Sequence, residues 1–222
     1  MCRFKSGIIL KNKVVVAPGE NDSHSDLLES LGIKDDYFGA TNVFVRAELV
    51  PVNDEWWIDP AEEPDKWRFV VDQDMRPEWF DESEHEKIFR EAVCGWWKEH
   101  VLVDQKLEEL SSGYYRLKRC EVKKLLNDVK VLLDSSQVGE MWDSSQVGEM
   151  RGSSQVGKMR DSSQVGEMWG SSQVGKMRDS SQVGEMRGRS TARDFKNWPN
   201  VKIWVSPEGT FEMVAHQNKS EE

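Results

Sequence analysis

Cysteine is scarce in this 222-residue chain, and so are long apolar runs and any basic excess. The three cysteines, Cys2, Cys94 and Cys120, are odd in number and widely spaced, which points to reduced thiols and a cytosolic protein. No Cys/His group has zinc spacing, so neither a structural metal nor any other cofactor is expected. The opening MCRFKSGIIL lacks the apolar run of a secretory leader. No stretch approaches the roughly 20 apolar residues of a membrane span, so a membrane is not expected as a partner. The formal net charge is −10, which argues against a nucleic-acid coat, since that requires a basic footprint. These absences leave a cytosolic protein as the expectation, with 37% hydrophobic residues and ten tryptophans, enough for a packed core.

The front of the chain alternates strand and helix signals. FKSGIILKNKVVVA (4–17) reads as a hairpin around Lys11–Asn12–Lys13. Ser23 fits an N-cap with Asp26 three residues on, and Gly32 a helix stop. TNVFVRAELV (41–50) is a strand with Val43, Val45, Ala47 and Leu49 on one face and Phe44, Arg46 and Glu48 on the other. KWRFVVDQD (66–74) is another strand, and Asp81 to His100 spaces its apolar residues as one long helix. An α+β head over 1–110 is expected.

From 134 to 187 one nonapeptide is written six times, beginning DSSQVGEMW. At about 100° per residue, nine residues end half a turn out of phase, so Val138 and Val147 would lie on opposite sides of a helix. Each glycine would add a penalty of about 1 kcal/mol. In extended geometry Ser136, Val138 and Met141 share one side if Gly139 shifts the alternation. Ser135, Gln137, Glu140 and Trp142 then face outward. One unit buries a Val and a Met, worth roughly 1.5–3 kcal/mol each, against about 1–2 kcal/mol of entropy per ordered residue. Units must therefore stack.

The variable positions repeat better every 18 residues than every nine. The fold class expected is thus an α+β N-terminal domain followed by an all-β solenoid, a β-helix with two nonapeptides per coil. One side would carry Glu149, Glu167 and Glu185, the other Lys158, Lys176, Arg160 and Arg178. Single nucleotide changes account for every swap between units, so recent duplication without selection explains the pattern equally well. The solenoid is expected over 111–200, with 125–133 placing Val129 and Leu132, and 188–196 placing Ser190, Ala192 and Phe195, at inward positions. A hairpin over 201–216 would cap the last coil, and 217–222 would be a loose tail.

MCRFKSGIIL, SHSDLL, FVRAEL, VDQD…PEWF and the tandem DSSQVGEM together resemble a group of phage and gut-bacterial proteins. The resemblance covers essentially the whole chain, implies a repeat architecture in a mobile-element setting, and brings no activity with it. Pentapeptide-repeat proteins are a loose parallel, since nine is not a multiple of five. Calcium-binding nonapeptide rolls need a Gly/Asp cage where this chain has Ser-Ser-Gln.

Several residues are candidates for chemistry. Removal of Met1 would leave Cys2 with an α-amine beside its thiol, the arrangement of a self-contained nucleophile, and His24, Arg46 and Glu48 are the nearest polar residues in sequence to complete a catalytic site. Otherwise Cys2 is simply a small residue opening an edge strand. Asp72 and Asp74 share a strand face at a spacing able to hold Mg²⁺, or are solvated carboxylates closing the strand. Residues 54–86 hold 13 acids against three bases, interleaved with Trp56, Trp57, Trp67 and Trp79. That patch would dock a basic partner, or else be a loop whose tryptophans turn inward. Trp142 and Trp169, with Arg151, Arg160, Arg178 and Arg187 at the equivalent places, form an outward ladder suited to recognition, or to Arg covering Trp for protection. His85 and His100 read as surface and helix-end histidines.

The function expected is non-enzymatic binding of a protein partner, with inhibition of a host defence protein as its form in a phage. A homo-oligomer is compatible with it. The alternatives are an N-terminal-nucleophile enzyme of amidohydrolase or amidotransferase type built on Cys2, and a structural component of the virion.

Overall fold

The structure is a computed structural model describing residues 5–19, 22–35, 42–192 and 204–205. It divides into two compact units, residues 1–100 and 101–222. By formal charge, residues 1–100 hold 22 acids and 12 bases, so they carry the whole net charge of −10, while the second unit is balanced.

In the first unit, β1 (Lys5–Leu10), β2 (Lys13–Val16), β3 (Phe44–Pro51) and β4 (Trp67–Val71) form an antiparallel sheet of order β2-β1-β3-β4. The expected hairpin turns tightly at Lys11–Asn12, pairing Leu10 with Lys13. Helix α1 (His24–Ser30) begins where Ser23 Oγ accepts from Asp26 N at 3.2 Å. It ends at Gly32, whose φ of +67° lets Ile33 N return to Leu28 O at 2.9 Å. Helix α2 (Glu82–His100) starts with Asp81 Oδ1 accepting from Glu84 N at 2.9 Å. The two helices use opposite faces. Leu27 and Leu28 of α1 join Ile8 and Phe44, while Phe89 of α2 lies where Gly7 leaves room, since a Cβ on Gly7 would meet the Phe89 ring at 2.7 Å. Both faces are therefore buried, which is why Phe44 is as buried as Val45, Ala47 and Leu49, whereas Val43 lies before the strand and is exposed.

The second unit is a β-solenoid of parallel strands. One sheet contains β5 (Val101–Val103), β7 (Tyr114–Lys118), β9 (Lys130–Asp134), β11 (Gln146–Arg151), β13 (Gln164–Met168), β15 (Gln182–Met186) and β17 (Trp204–Val205). The other contains β6 (Lys106–Leu110), β8 (Glu121–Leu125), β10 (Gln137–Met141), β12 (Gln155–Met159), β14 (Gln173–Met177) and β16 (Thr191–Ala192). Successive nonapeptides alternate between the sheets, so one coil is two units, as the 18-residue period requires. Val138 pairs with Val156 and Val156 with Val174, and the methionines follow the same register. Ser136, Val138, Met141 and their copies are buried throughout the repeats.

Two glycine positions have separate causes. A Cβ on Gly157 would lie 2.5 Å from Gly139 O of the coil before, so only a bare Cα lets the coils approach at that point. The corner residue instead needs positive φ: 56° at Asp143, 62° at Gly152 and 54° at Asp161. Asp and Gly, the residues that alternate there, both tolerate that conformation. The Asp corner gains a ladder, because each carboxylate accepts from the backbone one coil earlier, as Asp161 Oδ2 does from Asp143 N at 3.3 Å.

Some expectations are corrected. The solenoid begins at Val101, not 111, because β5 and β6 pair in its sheets. Val131 and Leu133, rather than Val129 and Leu132, take the Val and Met places over 125–133. Val129 occupies the serine place, and Leu132 falls opposite Glu149 at a register shift. The coil there is shorter: the valine register advances by 15 residues from Leu107 to Val122, by 16 to Val138, and by 18 thereafter. Ser190 and Ala192 are buried as expected. Phe195 and the tail over 217–222 lie outside the described residues. So does most of the 201–216 hairpin, of which β17 is seen pairing parallel with β15.

Candidate functional site

In the first unit the sheet face beneath α1 gathers four of the sequence candidates. Arg46 and Glu48 lie two apart on β3, and pairing sets Ser6 opposite Glu48 and Ile8 opposite Arg46. β4 runs antiparallel on the other side, and just past its end Asp72 N donates to Arg46 O at 2.9 Å. His24, in the first turn of α1, lies over this face. Its Nε2 is 3.1 Å from Ala47 O, and its Nδ1 is 3.4 Å from Asp72 Oδ2. One ligand atom each from His24, Glu48 and Asp72 lies within 4.8 Å of the others. The Arg46 guanidinium points to Asp35 and lies 5.1 Å from the Phe44 ring.

The electrostatics follow from burial and from like charge. Burial pulls the His24 pKa below the ordinary histidine value, against the Ala47 carbonyl and Asp72, which raise it. Burial, then Asp72 and Asp22, push Glu48 up to about 7. A half-buried imidazole thus sits beside two carboxyl groups. Asp74, the sequence partner of Asp72, is not in the group, because regular alternation ends with β4 at Val71. Cys2 lies outside the described residues.

The tryptophans over 54–86 belong to the fold. Trp56 is 2% exposed and packs edge-on to Trp57 at 5.9 Å, so it is withdrawn from any partner; the half-buried Trp57 shares that cluster. Trp67 is buried and donates to Ile58 O at 3.0 Å, and Trp79 donates to Asn42 O at 2.8 Å. His85, expected at the surface, is buried and its Nδ1 lies 2.6 Å from Asp81 O; His100 packs on Trp96 at 4.9 Å.

Along the solenoid the outward ladder is largely self-engaged. Arg160 covers Trp142, and Arg187 covers Trp169, each 4.4 Å from the ring centre. The two indoles donate to Glu140 and Glu167 at 3.0 and 2.9 Å. Arg151 pairs with Glu149, Arg187 with Glu185 at 2.6 Å, and Lys158 with Glu140 at 2.7 Å. Arg178 repeats the half-buried place of Arg160 one coil on.

The feature that sequence reasoning did not single out is a groove of about 660 Å³ on the outer face of the six-stranded sheet. Gln137, Gln155 and Gln173 stack along it in register, and Gly139, Gly157 and Gly175 form its bare bed. Lys106–Glu121 and Lys123–Glu108 ion pairs stand at its first coils. With strands about 4.8 Å apart, it presents an amide at each of three successive rungs, between Glu121 and Thr191. The signal was in the repeat: Gln and Gly at fixed places outside a Val column.

No family model, curated protein or solved structure matches the chain. No helix among the described residues is long and apolar enough to cross a membrane.

Proposed function

We propose that the chain is a non-enzymatic binding protein whose solenoid seats an extended segment of a protein partner in the glutamine-lined groove. The observation that carries this is the register of Gln137, Gln155 and Gln173 over a glycine bed. Evenly spaced amides, each with donors and an acceptor, meet a partner's backbone groups without demanding a particular sequence. Charge is not the attraction, because the second unit is formally neutral and its acids and bases largely pair with one another. The resemblance to phage and gut-bacterial proteins supports a bacterial cytosol as the setting, and a host defence protein is the target proposed there. Capture from host lysate with the full chain, beside a Gln137→Arg, Gln155→Arg, Gln173→Arg triple variant, tests the reading. A discrete protein retained by the parent and lost by the variant is expected. The same proteins on both, or none on either, would refute it.

A second reading has one observation in its favour: His24 and Glu48, selected as companions for a Cys2 nucleophile, do come together. It predicts that Met1 is removed and that Cys2→Ala abolishes the biological effect. Intact mass showing retained Met1 would end it.

A further inference from the structure

The sheet face beneath α1 gathers an imidazole nitrogen and two carboxyl groups, an arrangement that either shares a proton or holds a cation. Ala47 O can only accept, so His24 Nε2 carries the ring proton and Nδ1 of the neutral ring presents a lone pair. That lone pair faces Asp72 Oδ2 at 3.4 Å, a second acceptor, and the Glu48 carboxylate completes the group. The His24 side chain is only 10% exposed, while Asp72 is 59% exposed and opens the group to solvent. Burial also works against a second proton on the ring. The nearby cations are directed elsewhere: Arg46 to Asp35, and Lys5 to Asp22 at 2.7 Å.

We propose that His24 Nδ1, Glu48 and Asp72 bind a divalent transition-metal cation, Zn²⁺ being the class that one imidazole and two carboxylates favour. One separation matches as it stands: four ligands at about 2.1 Å around Zn²⁺ stand about 3.4 Å apart, the distance between Nδ1 and Oδ2 here, and a Glu48 oxygen lies within 4.8 Å of both. A backbone carbonyl on the far nitrogen is the arrangement that orients a ligating histidine and fixes its tautomer. Asp72, 59% exposed, gives the ion a way in. Three protein ligands leave the fourth position for water, whose pKa on Zn²⁺ falls to about 7, so the site is of the open rather than the structural kind. This inference stands apart from the groove on the solenoid.

The test uses the full chain, stripped with chelator and titrated with Co²⁺ as a visible stand-in for Zn²⁺ at about pH 7.5, where the carboxylates and imidazole are free to ligate. One-to-one uptake is expected, with d–d bands, no thiolate-to-cobalt charge-transfer band, and displacement by Zn²⁺. Asp72→Asn, at an exposed position outside the core, should weaken uptake about tenfold or more, and His24→Gln as much again. Circular dichroism of both variants confirms that the fold is kept. Three results would overturn the proposal: no uptake, meaning that the group shares a proton instead; a thiolate band, which would put the metal on cysteine; or uptake unchanged by Asp72→Asn.

Discussion

One change, Ser→Ala at a single place in the repeat, should have opposite signs in different coils. Ser136 and Ser163 are both fully buried inside the solenoid. Ser136 Oγ accepts from Cys120 N at 3.0 Å and lies 3.0 Å from Leu117 O and 3.1 Å from Asp134 O. Ser163 Oγ, like those of Ser145 and Ser181 above and below it, has no hydrogen-bond partner. Rungs about 4.8 Å apart keep stacked hydroxyls beyond the roughly 2.7–2.8 Å of an O–H···O bond. An unsatisfied buried hydroxyl costs about 1–3 kcal/mol, and alanine removes that cost. The hollow left is about one oxygen in size, and at about 24 cal/mol per Å³ it returns a few tenths. Ser163→Ala should therefore stabilise the solenoid by about 1–2 kcal/mol. Ser136→Ala instead strands a buried N–H and should destabilise by about 1–3 kcal/mol. Urea unfolding followed by far-ultraviolet circular dichroism, with the slope held constant as a check on the transition, measures both. Equal destabilisation by the two variants would show that the Ser163 hydroxyl is bonded after all, and the reasoning would fail.

Gly157→Ala places a methyl 2.5 Å from Gly139 O, which belongs to a strand and cannot step aside. A loss of about 3 kcal/mol, the upper end for overpacking, is expected by the same urea assay, and a loss below about 0.5 kcal/mol would refute the close-approach argument. Glu48 has a folded pKa of about 7, above its unfolded value, so the stability it contributes is complete below about pH 4.3 and is lost as pH rises through 7. The full shift corresponds to about 3 kcal/mol. Because the side chain is half-buried and screened, about 1–2 kcal/mol is the usable figure. In chelator, Glu48→Gln should therefore gain that much over the parent at about pH 8 and little at about pH 4. A gain independent of pH would refute it.

The solenoid was legible because its period is a physical constraint. Residues that face inward at Ser136, Val138 and Met141 must recur once per rung, and the 18-residue alternation of Glu and Lys reveals two sheets. The earlier coils were not legible as units because their corners are shorter, so counting in nines drifts out of register by Val129. What survives there is spacing alone: Leu107 and Leu110, then Val122 and Leu125, keep the three-residue step of Val138 and Met141. In the first unit, His24, Arg46 and Glu48 were picked for closeness in sequence to Cys2. They converge for another reason, the pairing of β3 with β1 and β4 beneath α1. Asp72 was assigned the wrong companion because alternation predicts its neighbour only while the strand continues. For Trp56 the sequence left open a docking surface or an inward turn, and only packing shows that it turns inward.

The swaps between units also bear on how the array arose. If selection had tuned charge along each column, opposite signs would alternate from coil to coil, as Glu140 and Lys158 do. The next step breaks that rule, for Lys158 stands against Lys176, and on the other sheet Glu149, Glu167 and Glu185 stack as three like charges. Those repeats of sign are what copying an 18-residue coil produces. On that sheet each Glu finds a partner on its own rung: Arg151 pairs with Glu149, Arg187 with Glu185, and the Trp169 indole donates a hydrogen bond to Glu167. Elsewhere the partner comes from the neighbouring coil, as Lys158 does for Glu140. Stacked like charges are therefore tolerated where each has a partner on its own rung, and copying a whole coil brings that partner along.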